Sequence, residues 1–188
     1  HYRGKVKIWE TQSLLYLFTL YQRYRNQTIP GAGFGTIRHA VELAKTQTKA
    51  IRDADVSATI VLWGGLSDRP GYRTLEKWDV YDFLKACIDD GVDCDAVGIC
   101  SNPQFGWAPA DYYEYYSRLS EFGKKIFLVE LRYPSGQPYA WPGARRYLWN
   151  VFDEDTQAEW IRYNLIFAFG SKNVIGVGFL QFKDAPPS

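Results

Sequence analysis

Ala58-Thr-Ile-Val-Leu-Trp63 is a short apolar run stopped by Gly64-Gly65, with Pro70 and Gly71 close behind. It is too short for an ordinary helix and is enriched in β-branched residues, so it reads as a strand. Unbroken apolarity, in place of alternation, marks a strand covered on both faces, as in a parallel sheet. Its neighbours must then supply the covering layers.

Toward the N-terminus, Ile37, Val41, Ala44, Thr48 and Ile51 recur at helical spacing, with Thr36 as the expected N-cap after the flexible loop 31–35. Residues 6–9 read as a strand preceded by Gly4, and residues 14–24, apolar and aromatic, as a helix or a loop-side wall. Toward the C-terminus come a helix over 77–90 closed by Gly91 at a C′ position, a strand over 96–100, and a Pro- and Gly-containing loop to Pro109. A helix over 110–122 ends at Gly123, and Lys125-Ile-Phe-Leu-Val-Glu-Leu131 is a strand whose apolar run Glu130 breaks. After a long loop with Pro134, Gly136, Pro138, Pro142 and Gly143, a helix over 155–169 precedes Gly170, and the last strand covers 174–182. Regular βα alternation with no repeat, low-complexity tract or linker implies one domain, 1–188, of the α/β class with a parallel sheet. An open doubly wound sheet would announce itself by a G-x-G-x-x-G turn after its first strand. Gly31-Ala-Gly-Phe-Gly35 follows an aromatic segment and lacks that spacing.

Charge and composition narrow the function classes. Lys and Arg number 22 against 21 Asp and Glu, dispersed without blocks, which argues against electrostatic binding of nucleic acid or anionic membranes. No apolar run approaches the roughly 18 residues of a spanning helix, and no basic-then-apolar leader is visible. Cys87, Cys94 and Cys100 are an odd number in one short region, which does not make a disulfide framework. His1 and His39 are not at ligand spacing, so the thiols are expected to be buried and neither metal nor other cofactor is implied. Aromatics make up 17% of the chain, and several stand in loops beside Gly and Pro where a core does not need them. Flat, partly exposed rings suit a sugar cleft, because pyranose C–H faces stack on aromatic planes.

In a parallel barrel the active site lies at the C-terminal strand ends. Those positions hold Trp9 and Glu10, Trp63, Ser101 and Asn102, Glu130 with Arg132 and Tyr133, and Gln181 to Asp184. Glu130 follows four apolar residues in a strand, where a carboxylate is costly unless paired or facing a cleft. The structural alternative is an ion pair, with Arg132 as a candidate partner. A retaining glycosidase needs two carboxylates about 5 Å apart, and Glu10 is the other Glu at a strand end. Trp63 and Trp107 are the foremost stacking candidates, followed by Tyr133, Tyr139 and Trp141. The run Asp111-Tyr-Tyr-Glu-Tyr-Tyr116 is expected to pack against the barrel exterior.

Four stretches together resemble family 10 glycoside hydrolases (xylanases) and their clan relatives. His1-Tyr-Arg-Gly-Lys-Val-Lys-Ile-Trp-Glu10 is similar to the fourth barrel strand, and Cys94-Asp-Ala-Val-Gly-Ile-Cys-Ser101 to the sixth, a D-G-I-G-L-Q-S-H pattern. Ile126-Phe-Leu-Val-Glu-Leu131 resembles the seventh, the I-T-E-L strand that carries the nucleophile. Thr156-Gln-Ala-Glu159 with Asn173-Val-Ile-Gly-Val-Gly-Phe179 resembles the last helix and the eighth strand. The resemblance implies a (β/α)8 TIM-barrel type, partial, covering about strands four to eight. Against the roughly 250 residues of a complete barrel, a 188-residue chain opening at His1 without any Met is then part of a longer one, and the parent chain supplies strands one to three. It also implies a retaining glycoside hydrolase acting on β-linked, xylan-like polysaccharide, secreted or extracellular. Glu130 is then the nucleophile; Trp9, Trp63, Asn102, Trp107, Tyr133 and Gln181, by their strand-end and loop positions, are the candidate sugar contacts.

The departures from that pattern leave two readings. Ungapped alignment on Trp9 puts Glu10 where the family has an acidic residue other than the acid/base, and the family's Asn-Glu pair falls on Ser13 and Leu14. Asn102 stands where the family has His, and Leu180 where it has Trp. Either Glu10 serves as acid/base, or the chain is a catalytically impaired relative that binds carbohydrate. A lyase or aldolase would want a strand-end Lys or a metal cluster; Lys183 is read as structural.

Overall fold

The apolar runs fold as strands and the amphipathic runs as helices. Their order is β1 (Ile8–Glu10), α1 (Ile37–Ala54), β2 (Thr59–Trp63), α2 (Val80–Asp89), β3 (Ala96–Ser101), α3 (Pro109–Leu119), β4 (Lys125–Leu131), α4 (Glu154–Gly170) and β5 (Val174–Phe179). The computed structural model describes residues 2–11, 37–64, 79–101, 108–133, 135 and 153–179. The chain divides into two units, His1–Gly98 and Ile99–Ser188, with the boundary inside β3.

In the first unit the strand order is β1-β2-β3 and both pairings are parallel, with Ile8 opposite Thr59 and Val61 opposite Ala96. Ile60, Val61 and Leu62 of β2 are fully buried, as their unbroken apolarity implies. Helix α1 buries Ala40, Val41, Ala44 and Thr48, while Ile37 and Ile51 at the ends of the expected stripe are only part-buried. Helix α2 buries Val80, Phe83, Leu84 and Cys87, each large apolar side chain contributing about 1.5–3 kcal/mol relative to exposure. A reciprocal cap starts α2: the Asp79 carboxylate accepts from the Asp82 amide at 2.9 Å, and the Asp82 carboxylate from the Asp79 amide at 3.0 Å. The helix gives way at Gly91, which takes φ +73°, the left-handed conformation expected at C′. Gly64 follows β2 because α2 lies directly over it; a Cβ there would collide with Val80 and Leu84.

Two charged side chains fasten this unit's turns. Arg52, in the last turn of α1, donates to Asp93 at 2.8 Å, to Asp95 at 3.1 Å and to the Ala58 carbonyl at 2.8 Å. Asp55 accepts from the Ser57 hydroxyl at 2.7 Å and amide at 3.0 Å and from the Gly4 amide at 2.7 Å. These donors, the Ser57 hydroxyl foremost, hold its carboxyl down at about 2.

In the second unit the order is β3-β4-β5. Strands β4 and β5 pair in parallel, Ile126 opposite Val174 and Leu128 opposite Val177, with register irregularities between. The Phe127 ring lies so close over Gly176 that no Cβ fits beneath it. Helix α3 starts at Pro109, and the Asp111 carboxylate accepts from the Ala108 amide at 2.6 Å. The helix ends at Leu119, three residues short of the expected limit, where a single 3₁₀ turn, Ser120–Phe122, tightens the chain into Gly123 at φ +66°. Tyr112, Tyr115 and Tyr116 of the tyrosine-rich run are buried, so the expectation of a packing role for that run holds. Asp153 caps α4 through the Thr156 amide at 2.7 Å, and Gly170 completes that helix instead of following it. The last strand covers Val174–Phe179; residues 180–182 lie outside the described residues.

The core of this unit is built on Trp160, which is fully buried. Tyr112 meets it edge-on at 6.2 Å and Tyr133 at 5.3 Å with a 40° tilt. One turn later on α4, buried Asn164 accepts from the Ser101 hydroxyl at 2.6 Å and donates to the Trp160 carbonyl at 3.0 Å.

Two outcomes are expected. Asn164→Ala leaves the Ser101 hydroxyl buried without its acceptor and should cost about 1–3 kcal/mol in a urea titration. Because the folded-state pKa of Asp55 is depressed, its stabilisation is complete above the ordinary aspartate range and is lost as pH falls toward about 2. Asp55→Asn should therefore flatten the stability profile between about pH 4 and pH 2, read by thermal melts across that window.

Candidate active site

Strand β4 delivers Glu130. Ile126 and Leu128 share the buried face by the two-residue period of a strand. The register shift between Leu128 and Leu131 changes the phase, so that Val129 and Leu131 are buried and Glu130 is not. Ile126 and Leu128 are fully buried, whereas Glu130 is half-buried. The carboxylate therefore stands part-exposed between two buried neighbours, Val129 and Leu131, near the strand's C-terminal end.

Among the described residues that carboxylate has few polar neighbours. The Cys100 thiol of β3 donates to its Oε2 at 3.6 Å, a normal reach for a sulfur donor. Among the described residues no cation stands within ion-pair distance of Glu130, so the structural alternative, a salt bridge to Arg132, is not formed. Burial pushes the Glu130 carboxyl above its ordinary range, while the Cys100 hydrogen bond and the Arg132 charge pull the other way. A carboxylate held partly out of water, with one weak donor and no salt bridge, keeps electron density available for nucleophilic or proton-transfer chemistry.

Neighbouring groups hold the strand ends. The Arg132 amide donates to the Ser101 carbonyl at 3.0 Å, joining β4 to β3 just beyond Glu130 and Cys100. Tyr133 follows immediately; its ring is engaged with Trp160, 4% of the residue is exposed, and burial foremost, then the Asp153 charge, pushes its hydroxyl up to about 12. The Gln157 side chain donates to the Tyr133 carbonyl at 2.6 Å.

The other expected residues fall elsewhere. Trp9, Glu10 and Trp63 belong to the first unit. Trp9 is half-buried, its indole N–H donating to the Val6 carbonyl at 3.2 Å and the Tyr2 ring edge-on at 6.5 Å. Glu10 is exposed at the end of β1. Trp63 is buried at the end of β2, its amide donating to the Thr11 hydroxyl at 3.0 Å. Asn102, Trp107 and Gln181 lie outside the described residues, as do Ser13, Leu14, Tyr139, Trp141, Leu180, Lys183, Asp184 and the loop 31–36. No group of three or more His, Cys, Asp or Glu among the described residues could hold a metal ion. No helix among them is long and apolar enough to cross a membrane.

Sequence reasoning passed over Cys100 and Asn164. All three cysteines are buried and none forms a disulfide, but Cys100 has a polar task. The available signal was its position: it precedes the strand-end Ser101, on a strand next to the one bearing Glu130. Asn164 was signalled by spacing, as the polar member of the series Trp160, Asn164, Ala168 on the buried side of α4.

No family model matches the sequence, and no curated protein matches it. Solved structures do match in fold. The Bacteroides uniformis β-glucuronidase superposes with TM-score 0.63 at 11% identity, over 94% of this chain and 19% of that one. The Ignisphaera aggregans GH53 catalytic domain gives 0.57 at 18% identity, over 88% and 52%. The family 1 β-glucosidase of Thermotoga maritima gives 0.54 at 10% identity, over 94% and 55%. At such identities the likeness is one of fold, and the chain spans about half or less of the length of these structures. The chain has the fold of part of a (β/α)8 barrel.

The raised Glu130 pKa carries a sign. Protonated, the group adds no penalty; ionised, it costs the folded state, so its contribution worsens as pH rises through the raised pKa. Glu130→Gln should therefore melt at a higher temperature than the parent at pH 7, with the two converging below about pH 4. Thermal melts at both pH values check this.

Proposed function

We propose that this chain is the C-terminal portion of a retaining glycoside hydrolase acting on β-linked polysaccharide of the xylan type, with Glu130 as nucleophile. The observation that carries the reading is Glu130 itself: half-buried at a strand's C-terminal end, raised in pKa by burial, and without a cation in ion-pair distance among the described residues. In barrels of this type catalytic groups stand at that end of the strands. The solved structures of similar fold include a β-glucuronidase, a β-glucosidase and a GH53 catalytic domain, which supports glycosidic chemistry. The motifs around β3 and β4 favour family 10 among such enzymes.

In this mechanism a Glu130 oxygen attacks the anomeric carbon as the glycosidic C–O bond breaks. An acid, Glu10 or a carboxylate elsewhere in the parent chain, gives its proton to the departing oxygen. The same group then takes a proton from the water that cleaves the glycosyl ester, restoring Glu130 and retaining configuration. Trp9, Asn102, Trp107 and Gln181 are assigned to sugar contacts, the two tryptophans by stacking, whereas Trp63 and Tyr133 are buried and are assigned to packing. The parent chain contributes strands one to three and is exported to meet its polymer.

A second reading is favoured by one sequence observation. The ungapped register that places Ser13 and Leu14 at the family's Asn-Glu pair removes the acid/base group. That donor is worth typically 10²–10⁴-fold in rate, and without it the cleft binds glycan and does not cut.

The deciding experiment is a screen of β-linked polysaccharides with the parent chain, following product anomers by NMR. Hydrolysis with retention, reduced about 10³-fold or more by Glu130→Gln with glycan binding intact, is the expected result. Glycan binding with no hydrolysis gives the second reading. Turnover untouched by the substitution removes Glu130 from the nucleophile role.

A further inference from the structure

We propose that Cys100 is a positioning residue: its thiol donates to Oε2 of Glu130 and holds that carboxylate in one rotamer at the end of β4. The proposal deepens the reading of Glu130 as nucleophile and rests on it for its catalytic meaning, though not for its geometry.

A nucleophilic carboxylate needs both of its oxygens placed. One oxygen must point at the anomeric carbon and the other must be anchored, since a misplacement of about 1 Å can cost about 10²-fold in rate. A salt bridge would anchor Glu130 but would also neutralise it. A thiol is a weak donor, so it fixes one oxygen while leaving the negative charge largely unshared. Cys100 has no exposed surface, so water does not compete for its hydrogen.

The donor is itself fixed from behind. Cys100 is followed by Ser101, whose hydroxyl is held by buried Asn164 at 2.6 Å and whose carbonyl accepts from the Arg132 amide at 3.0 Å. Strand β3 therefore cannot slide or twist at this point without breaking bonds to α4 and to the residues just beyond Glu130. The charge acting on the carboxylate among the described residues is that of Arg132, opposed by burial. Removing the thiol subtracts the one hydrogen bond that the Glu130 side chain receives among the described residues.

The test separates the contact from the catalysis. Carboxyl titration by NMR, on protein carrying 13C-labelled glutamate and assigned with Glu130→Gln, reads Glu130 directly. Cys100→Ala should move its midpoint upward, because a donor to the ionised form is lost. Cys100→Ser should leave it near or below the parent value. The S–H stretching band gives a second reading on the parent fold: Glu130→Gln should shift one of the three thiol bands and leave the other two in place. An unmoved midpoint in Cys100→Ala together with unmoved thiol bands overturns the proposal. Where the parent hydrolyses glycan, Cys100→Ala should lower kcat with KM unchanged, and Cys100→Ser should restore it. A parent without hydrolysis removes the nucleophile reading, while titration and thiol bands still decide the contact.

Discussion

One buried hydrogen bond organises the half of the chain that carries Glu130. The Ser101 hydroxyl and the Asn164 side chain meet at 2.6 Å, both fully buried. Two polar groups in an apolar interior are tolerable only as a pair, and each then dictates where the other must be. Ser101 is the last residue of β3, and Asn164 lies one turn beyond Trp160, the centre of the aromatic core. The pair thus converts the nonspecific packing of α4 into a fixed docking point. From that point the register passes to β4 through the Arg132 amide.

A carboxylate placed beyond this clasp gains a stable position but loses part of its hydration. Full transfer of such an ion into a medium of low dielectric would cost about 20 kcal/mol in the idealised limit, which no thiol hydrogen bond could offset. Half-burial lowers that cost to one a domain can carry. The fold therefore places Glu130 at a half-buried position beyond the register shift in β4, not at Leu128, which is fully enclosed. Stability is given up locally to keep a charged group partly desolvated, a pattern common to functional sites.

The strands were the legible part of the sequence. Lys125 to Leu131 folds over the expected span, because seven residues with one polar interruption admit few alternatives. Helix stops at Gly91 and Gly123 were equally plain, since both residues adopt a conformation that side-chain-bearing residues avoid. Strand β1 was less clear: three residues with Ile8 largely exposed carry little periodic signal. The limit of α3 was set by a 3₁₀ turn, which differs from a last α turn only in hydrogen-bond geometry. At the site, Glu130 stood out because charge inside an apolar run is conspicuous. Cys100 did not, because a buried thiol looks the same in sequence whether it merely fills space or donates a proton. Tyr133 was read for its ring at a strand end, but the ring's neighbour, Trp160, comes from a helix that begins 21 residues later, a distance no local pattern spans.

The contact of Phe127 with Gly176 makes two positions on neighbouring strands behave as one. Bulk at 127 is permitted because there is none at 176, so substitutions at the two places are conditional on each other. Among homologues a side chain at 176 should be accompanied by a smaller residue at 127, and a change at either alone should be rare. Phe127 stands three residues before Glu130 on β4, so such exchanges record how tightly evolution has held the strand that presents the carboxylate.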